Sequence, residues 1–202
     1  MNSEERFDLI TKTSNEIAYY LIVRQNVDSA LEILESAFSY IDKDKVKKYD
    51  LALFNNYYGL GLKEKFLYEE ALEKFNNCLI NAKAISSKRI IMWGLSGRGD
   101  TYLQIGSFEK SYKDFLNALD IALELKDYFE ISILYFNIGC VYLEIQRYNE
   151  AVTNFQLGAA IKKNKLHQDD KFIGLFSFDL VHILLGIAYI KKGDVRLSEI
   201  NC

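Results

Sequence analysis

Residues 138–158 read IGCVYLEIQRYNEAVTNFQLG. Gly139 and Tyr142 stand three apart, and after a gap Tyr148, Ala151, Phe155 and Gly158 follow at spacings of three and four. Forty residues earlier the same pattern stands as Gly99, Tyr102, Phe108, Ser111, Phe115 and Ala118. Forty earlier again it stands as Gly59, Leu62, Tyr68, Ala71, Phe75 and Cys78. Six columns held in register over three units mark an internal repeat, and a repeat decides the fold before any single element does. The register extends both ways with small slips. Ala18, Leu21, Val27, Ala30, Leu34 and Ala37 lie 41 residues before the second unit's columns. Gly186, Tyr189 and Val195 lie 47 residues after the fourth unit's, the extra seven falling in the charged connection around Lys162 to Lys171.

Each unit reads as two helices. Leu95, Gly99, Tyr102 and Leu103 recur as one face of a helix requires, Gly106-Ser107 breaks the pattern, and Phe108, Ser111, Tyr112, Phe115, Ala118, Leu119 and Ala122 resume it. A hairpin of helices ~15–18 residues long cannot bury both faces alone, whereas stacked hairpins can. The small column lets the two helices of a pair approach closely, and the aromatic columns fill the space between pairs. The sequence therefore predicts an all-α superhelix, an α-α solenoid of about five helix pairs with the last incomplete. It reads as a single repeat domain over 1–202, with units near 11–50, 51–90, 91–130, 131–170 and 171–202.

Composition agrees. The 202-residue chain is 50% hydrophobic and has no proline and only 11 glycines, too few turn formers for a sandwich or barrel. A net charge of -3 excludes a basic nucleic-acid-binding domain. The lysines at 43, 45, 47 and 48 and at 162, 163 and 165 read as solvated connections. The only apolar run near the start, Ile17 to Val23, is too short to cross a membrane and lacks the flanks of a signal peptide. Three scattered cysteines (Cys78, Cys140, Cys202) and two isolated histidines (His167, His182) read as neither a disulfide framework nor a metal site. A reducing cytoplasm is the expected compartment.

These columns resemble the tetratricopeptide repeat family: a small residue, an aromatic three later, a turn, then aromatic, alanine, aromatic and small. The fourth, third and second units match, the first and fifth are degenerate, and the resemblance covers roughly residues 10 to 200. The 40-residue spacing exceeds the family's usual 34, the closing proline is missing, and Arg98 fills a slot usually aliphatic. Such long periods look like those of bacterial regulatory arrays and scaffold proteins.

The resemblance implies a peptide or protein ligand along a concave groove lined by the first helix of each pair. Carried onto this chain, the groove positions are Asn15 and Tyr19 in the first unit and Asn56, Leu60 and Lys63 in the second. The third unit offers Trp93, Ser96, Asp100 and Gln104, the fourth Phe136, Cys140 and Glu144, and the fifth Ile183. An asparagine amide matches both donor and acceptor of a peptide backbone. Trp93 and Phe136 either anchor a ligand or fill the stack between pairs. Arrays that clamp the acidic tail of heat-shock chaperones place cations in this groove. One register here holds Asn56, Leu60, Gly97, Ile133 and Asn137, and the other holds Asn15, Tyr19, Tyr57, Trp93 and Gly97. Neither supplies the cations, so binding of that kind is disfavoured.

No catalytic motif is present, and no cofactor or metal is expected. Gly97-Arg98-Gly99-Asp100 resembles a phosphate loop but falls inside an amphipathic helix, where close packing explains it; Asp169-Asp170 reads as a loop or cap. The expected function is a non-enzymatic protein- or peptide-binding scaffold. The alternative is the sensory part of a signalling regulator, similar to the repeat domains of bacterial peptide-pheromone receptors. No helix-turn-helix is read before residue 10, so that role needs a further domain or partner. The run from Phe172 to Ile187 is unusually apolar for a terminal repeat. It points to an exposed apolar patch, a homo-oligomer through the C-terminal helix, or a longer parent protein.

Overall fold

The structure, a computed structural model, describes residues 2–165 and 178–193. Among these residues it is helical, with nine helices and no strand. They are α1 (Ser3–Val23), α2 (Val27–Tyr40), α3 (Lys48–Glu64), α4 (Tyr68–Ala84), α5 (Lys88–Gln104), α6 (Phe108–Leu125), α7 (Tyr128–Glu144), α8 (Tyr148–Lys165) and α9 (Phe178–Lys192). α3, α5 and α7 begin at residues 48, 88 and 128, and α4, α6 and α8 at 68, 108 and 148. Helix α1 starts at Ser3, ahead of the expected unit boundary near residue 11, because Asn2 and Glu5 close a capping box there.

The turns use one device. The amides of Phe66 and Leu67 reach back to the carbonyls of Lys63 and Leu62 at 2.9 and 3.0 Å, a Schellman closure. The same two bonds recur at Gln25-Asn26, Ser86-Ser87, Lys126-Asp127 and Gln146-Arg147. Each closure needs a left-handed residue, and here these are Gln25, Phe66, Ser86, Lys126 and Gln146, with φ between 53° and 62°. Gly106 and Gly193 adopt the same hand without a side-chain penalty.

The chain divides into two compact units, Met1–Ile105 and Gly106–Cys202, the division falling between the two helices of the third repeat. In the first unit α1 packs on α2, α3 on α4, and the first helices follow one another, α1 beside α3 and α3 beside α5; α4 also packs on α5. In the second unit α6 packs on α7, α7 on α8 and α8 on α9. A first helix between neighbours is buried on several sides, so α3 buries Leu51, Ala52, Phe54, Asn55, Asn56, Gly59 and Leu62 and lacks a single apolar stripe. A second helix shows one face: α4 buries Ala71, Phe75, Cys78, Leu79 and Ala82.

The small column does what its spacing implies. A Cβ on Gly59 would stand 2.9 Å from Cε1 of Phe75, and one on Gly139 would stand 2.5 Å from Cε1 of Phe155. Both rings are fully buried, each contributing roughly 1.5–3 kcal/mol relative to exposure. Gly97 on α5 also abuts Phe75, so one ring is held by glycines of two successive first helices. Inside the second unit Ser132 donates to the Gly158 carbonyl at 2.9 Å, the Tyr112 and Tyr142 hydroxyls meet at 2.9 Å, and Gln156 donates to the Tyr189 hydroxyl at 2.9 Å. Among the described residues no helix is long and apolar enough to cross a membrane. Cys78 is buried, which pushes its thiol up to about 12. The expectations for Lys162 to Lys171, His167, Asp169-Asp170, Phe172 to Phe176 and the helix from Val195 to Cys202 lie, in side chain or backbone, outside the described residues.

Candidate functional site

In the first unit the expected binding positions fall on three successive first helices, α1, α3 and α5. Asn15 is buried on α1, and its Nδ2 donates to the Asp50 carbonyl at the start of α3 at 2.9 Å. Its amide thus ties two first helices together, while its Oδ1 finds no donor. Asn56 is equally buried and its Oδ1 is likewise unpaired. Both oxygens are closed to solvent, so neither faces a ligand in this conformation, and an unpaired buried acceptor costs on the order of 1–3 kcal/mol of stability.

Tyr19 is exposed, and its ring lies 5.6 Å from that of Tyr57 on α3. Burial, reinforced by Tyr19 and Tyr49, pushes the Tyr57 phenol up to about 12. Burial also raises Tyr19. Desolvation outweighs the nearby Lys47 and Lys12 in raising Asp50, helped by Asp8. Asp8 itself is held below the ordinary carboxylate range by a hydrogen bond and ion pair to Lys47 at 2.8 Å.

Lys63 and Asp100 are brought together. Lys63 Nζ meets Asp100 Oδ2 at 2.5 Å and Glu64 Oε1 at 3.0 Å, joining α3 to α5. Burial pulls the ammonium down, but Asp100 and Glu64 outweigh it and the net shift is upward. Leu60, Trp93 and Ser96 are half-buried, and Gln104 is exposed. Arg98 on α5 donates to Asn76 Oδ1 on α4 at 2.7 Å, which gives this unusual slot a packing role.

In the second unit Phe136 fills the stack. It is 1% exposed, stacked at 6.2 Å on Phe155 within a cluster that includes Val152, Leu185 and Tyr189. Cys140 is half-buried against the same cluster, whereas Glu144 and Ile183 are exposed. On α9, Ile183, Ile187 and Ile190 form one exposed edge.

Sequence reading misses Tyr57 as the partner of Tyr19. The two are 38 residues apart and so fall on no column. Lys63 and Asp100 carry a usable signal, opposite charges on successive first helices, but at a spacing of 37 they too lie off register.

The sequence pattern described as the tetratricopeptide repeat matches residues 90–164, which span α5 to α8. Over this segment the chain is similar to the tetratricopeptide repeat family. A search of curated protein sequences gives no match. Solved tetratricopeptide-like structures do resemble the chain. BtubC (BKLC) from P. vanneervenii is 16% identical with a TM-score of 0.72, the match covering 100% of this chain and 89% of that one. A Rap protein complexed with Competence and Sporulation Factor is 16% identical with a TM-score of 0.79 over 96% of this chain. This chain matches 52% of that Rap protein, about half its length. PilF of Pseudomonas aeruginosa is 16% identical with a TM-score of 0.68, the match covering 96% of this chain and 74% of that one. These likenesses establish the fold: an all-α array of tetratricopeptide-type helix pairs.

Proposed function

We propose that the chain is a non-enzymatic scaffold that binds a protein or peptide segment along the first helices of its repeats, acting in the cytoplasm and without contact to nucleic acid or membrane. The observation that carries this reading is the row α1, α3 and α5. It presents an exposed tyrosine at Tyr19 and a half-buried ion pair at Lys63–Asp100. An extended segment can lay an apolar side chain on Tyr19 and a backbone N–H against Asp100. The likeness to a Rap protein complexed with Competence and Sporulation Factor favours a second reading, a sensory array that binds a peptide signal. The exposed edge Ile183, Ile187 and Ile190 supports self-association through α9, which sedimentation at rising concentration tests.

Fluorescence anisotropy with labelled penta- to decapeptides tests the assignment. Tight binding of a free peptide that Tyr19→Ala and Asn56→Ala each weaken about tenfold supports the sensory reading. Binding only to a folded partner, with the same two losses, supports the scaffold. Binding indifferent to both variants removes the first-helix row as the site.

A further inference from the structure

The turn between α3 and α4 departs from its counterparts. At the left-handed position the other turns between paired helices carry Gln25, Gly106 and Gln146, and at the next position Asn26, Ser107 and Arg147. Here these are Phe66 and Leu67. Phe66 has φ of 62°, a costly conformation for a bulky residue, yet the residue is 75% exposed. Burial therefore does not explain why it is there. Leu67 and Ile105 are exposed beside it, and the Tyr68 ring stands edge-on at 6.2 Å. Together with Leu72, Glu69 and Glu70 they line a cleft of about 380 Å³.

The charge at this cleft is unbalanced. The helix N-terminus accounts for an acid at Glu69, whose slot holds Asp28 and Glu109 in neighbouring repeats. Glu70 corresponds to Glu150, and Glu150 has a partner: Arg147 Nε donates to it at 2.8 Å while the guanidinium lies 5.1 Å from the centre of the Tyr142 ring. Leu67 stands in the slot of Arg147, so the cation is missing here. The lysines nearest in sequence are engaged elsewhere, Lys65 with Asp28 at 2.6 Å, Lys63 with Asp100 and Glu64, and Lys74 with Glu73 at 3.8 Å and over the Phe38 and Tyr58 rings at 4.9 Å. Among the described residues, neither Glu69 nor Glu70 has an ion pair.

We propose that the cleft at Phe66, Leu67 and Ile105 docks a basic segment of a partner protein. One leucine or phenylalanine of the segment seats in the cleft, and its flanking lysine or arginine supplies to Glu70 and the aromatic rings what Arg147 supplies to Glu150 and Tyr142. No residue lining this cleft is one of the first-helix positions named above. The apolar seat gives affinity, and the carboxylates with the rings select a cation.

The test titrates the full chain with the peptide Ac-RKLFKR-NH2, read by amide chemical shifts. The expected result is shifts at residues 66–72 and at Ile105. Ac-EELFEE-NH2 and Ac-RKGGKR-NH2 are each expected to bind about tenfold or more weakly. Phe66→Gly keeps the turn, since glycine accepts its φ, and removes the seat. Leu67→Arg rebuilds the in-chain pair with Glu70. Phe66→Gly is expected to raise the melting temperature slightly, as relief of left-handed strain requires, and Leu67→Arg to retain it; both are expected to weaken the basic peptide about tenfold, while Tyr19→Ala leaves it unchanged. Equal binding of the acidic peptide, undiminished binding to both variants, or loss with Tyr19→Ala overturns the proposal. Concentration-dependent self-association abolished by Phe66→Gly, with no peptide bound, also overturns it, assigning the cleft to a second copy.

Discussion

The Phe75 ring occupies the space that a side chain on Gly97 would need, although the two residues lie on helices of different repeats. Alanine in a helix ordinarily gains about 1 kcal/mol over glycine. At Gly97 the overpacking outweighs that gain, and Gly97→Ala is expected to destabilise by about 1–3 kcal/mol in urea unfolding. Gly186→Ala is the contrast. Among the described residues nothing lies within 4 Å of its added carbon, so the helix gain of up to about 1 kcal/mol is expected to appear in full.

The Schellman turns hold untapped stability. Lys126 and Gln146 adopt left-handed backbone with φ of 55° and 62°. Glycine relieves that strain, so Lys126→Gly and Gln146→Gly are each expected to raise stability by about 1 kcal/mol. Thermal unfolding at fixed protein concentration measures it, and an unchanged or lower midpoint contradicts the account.

Lys63 and Asp100 form a test of half-buried charge. Their side chains are 15% and 28% exposed, so removing one partner leaves the other poorly hydrated. Asp100→Leu alone is expected to cost about 1–3 kcal/mol, and Lys63→Met with Asp100→Leu less than about 1 kcal/mol. The Lys63 ammonium titrates above its ordinary 10.5 in the folded chain. Its contribution is therefore complete below that pH and fades as pH climbs through the raised value. A double-mutant cycle at pH 7 and pH 11 reads both effects.

Tyr57 adds a second alkaline dependence. Its phenol moves from 10.0 unfolded to about 12 folded, so the folded state keeps its proton longer. The stability it confers is full below pH 10 and lost between 10 and about 12. After allowance for solvent screening this is at most about 2 kcal/mol. Tyr57→Phe is expected to flatten the fall in urea midpoint over that interval, and an unchanged slope refutes the assignment.

The helix pairs were legible because Gly59, Phe75, Gly139 and Phe155 obey a spacing that packing enforces, and the structure seats each ring on its glycine. The turns were legible only at Gly106. Gln25, Phe66, Ser86, Lys126 and Gln146 have little preference for left-handed backbone, so the closure there is imposed by the helices on either side. The candidate site was legible by slot rather than by exposure. Asn15 reads as an open donor, yet its amide is spent on the Asp50 carbonyl, a bond across 35 residues that no local pattern announces. Phe136, which had two readings, is claimed by the core because Phe155 and Gly158 lie against it.

The double hold on Phe75 bears on how such a chain can evolve. One repeat before Gly97 the slot is Tyr57, and one repeat after it is Asn137. Recombination that copied either neighbouring block into this place would drive a bulky group into the aromatic ring. Lengthening by tandem duplication is thus blocked at this joint unless the glycine is inherited with its phenylalanine, so the two residues form a unit of descent that crosses the boundary between repeats.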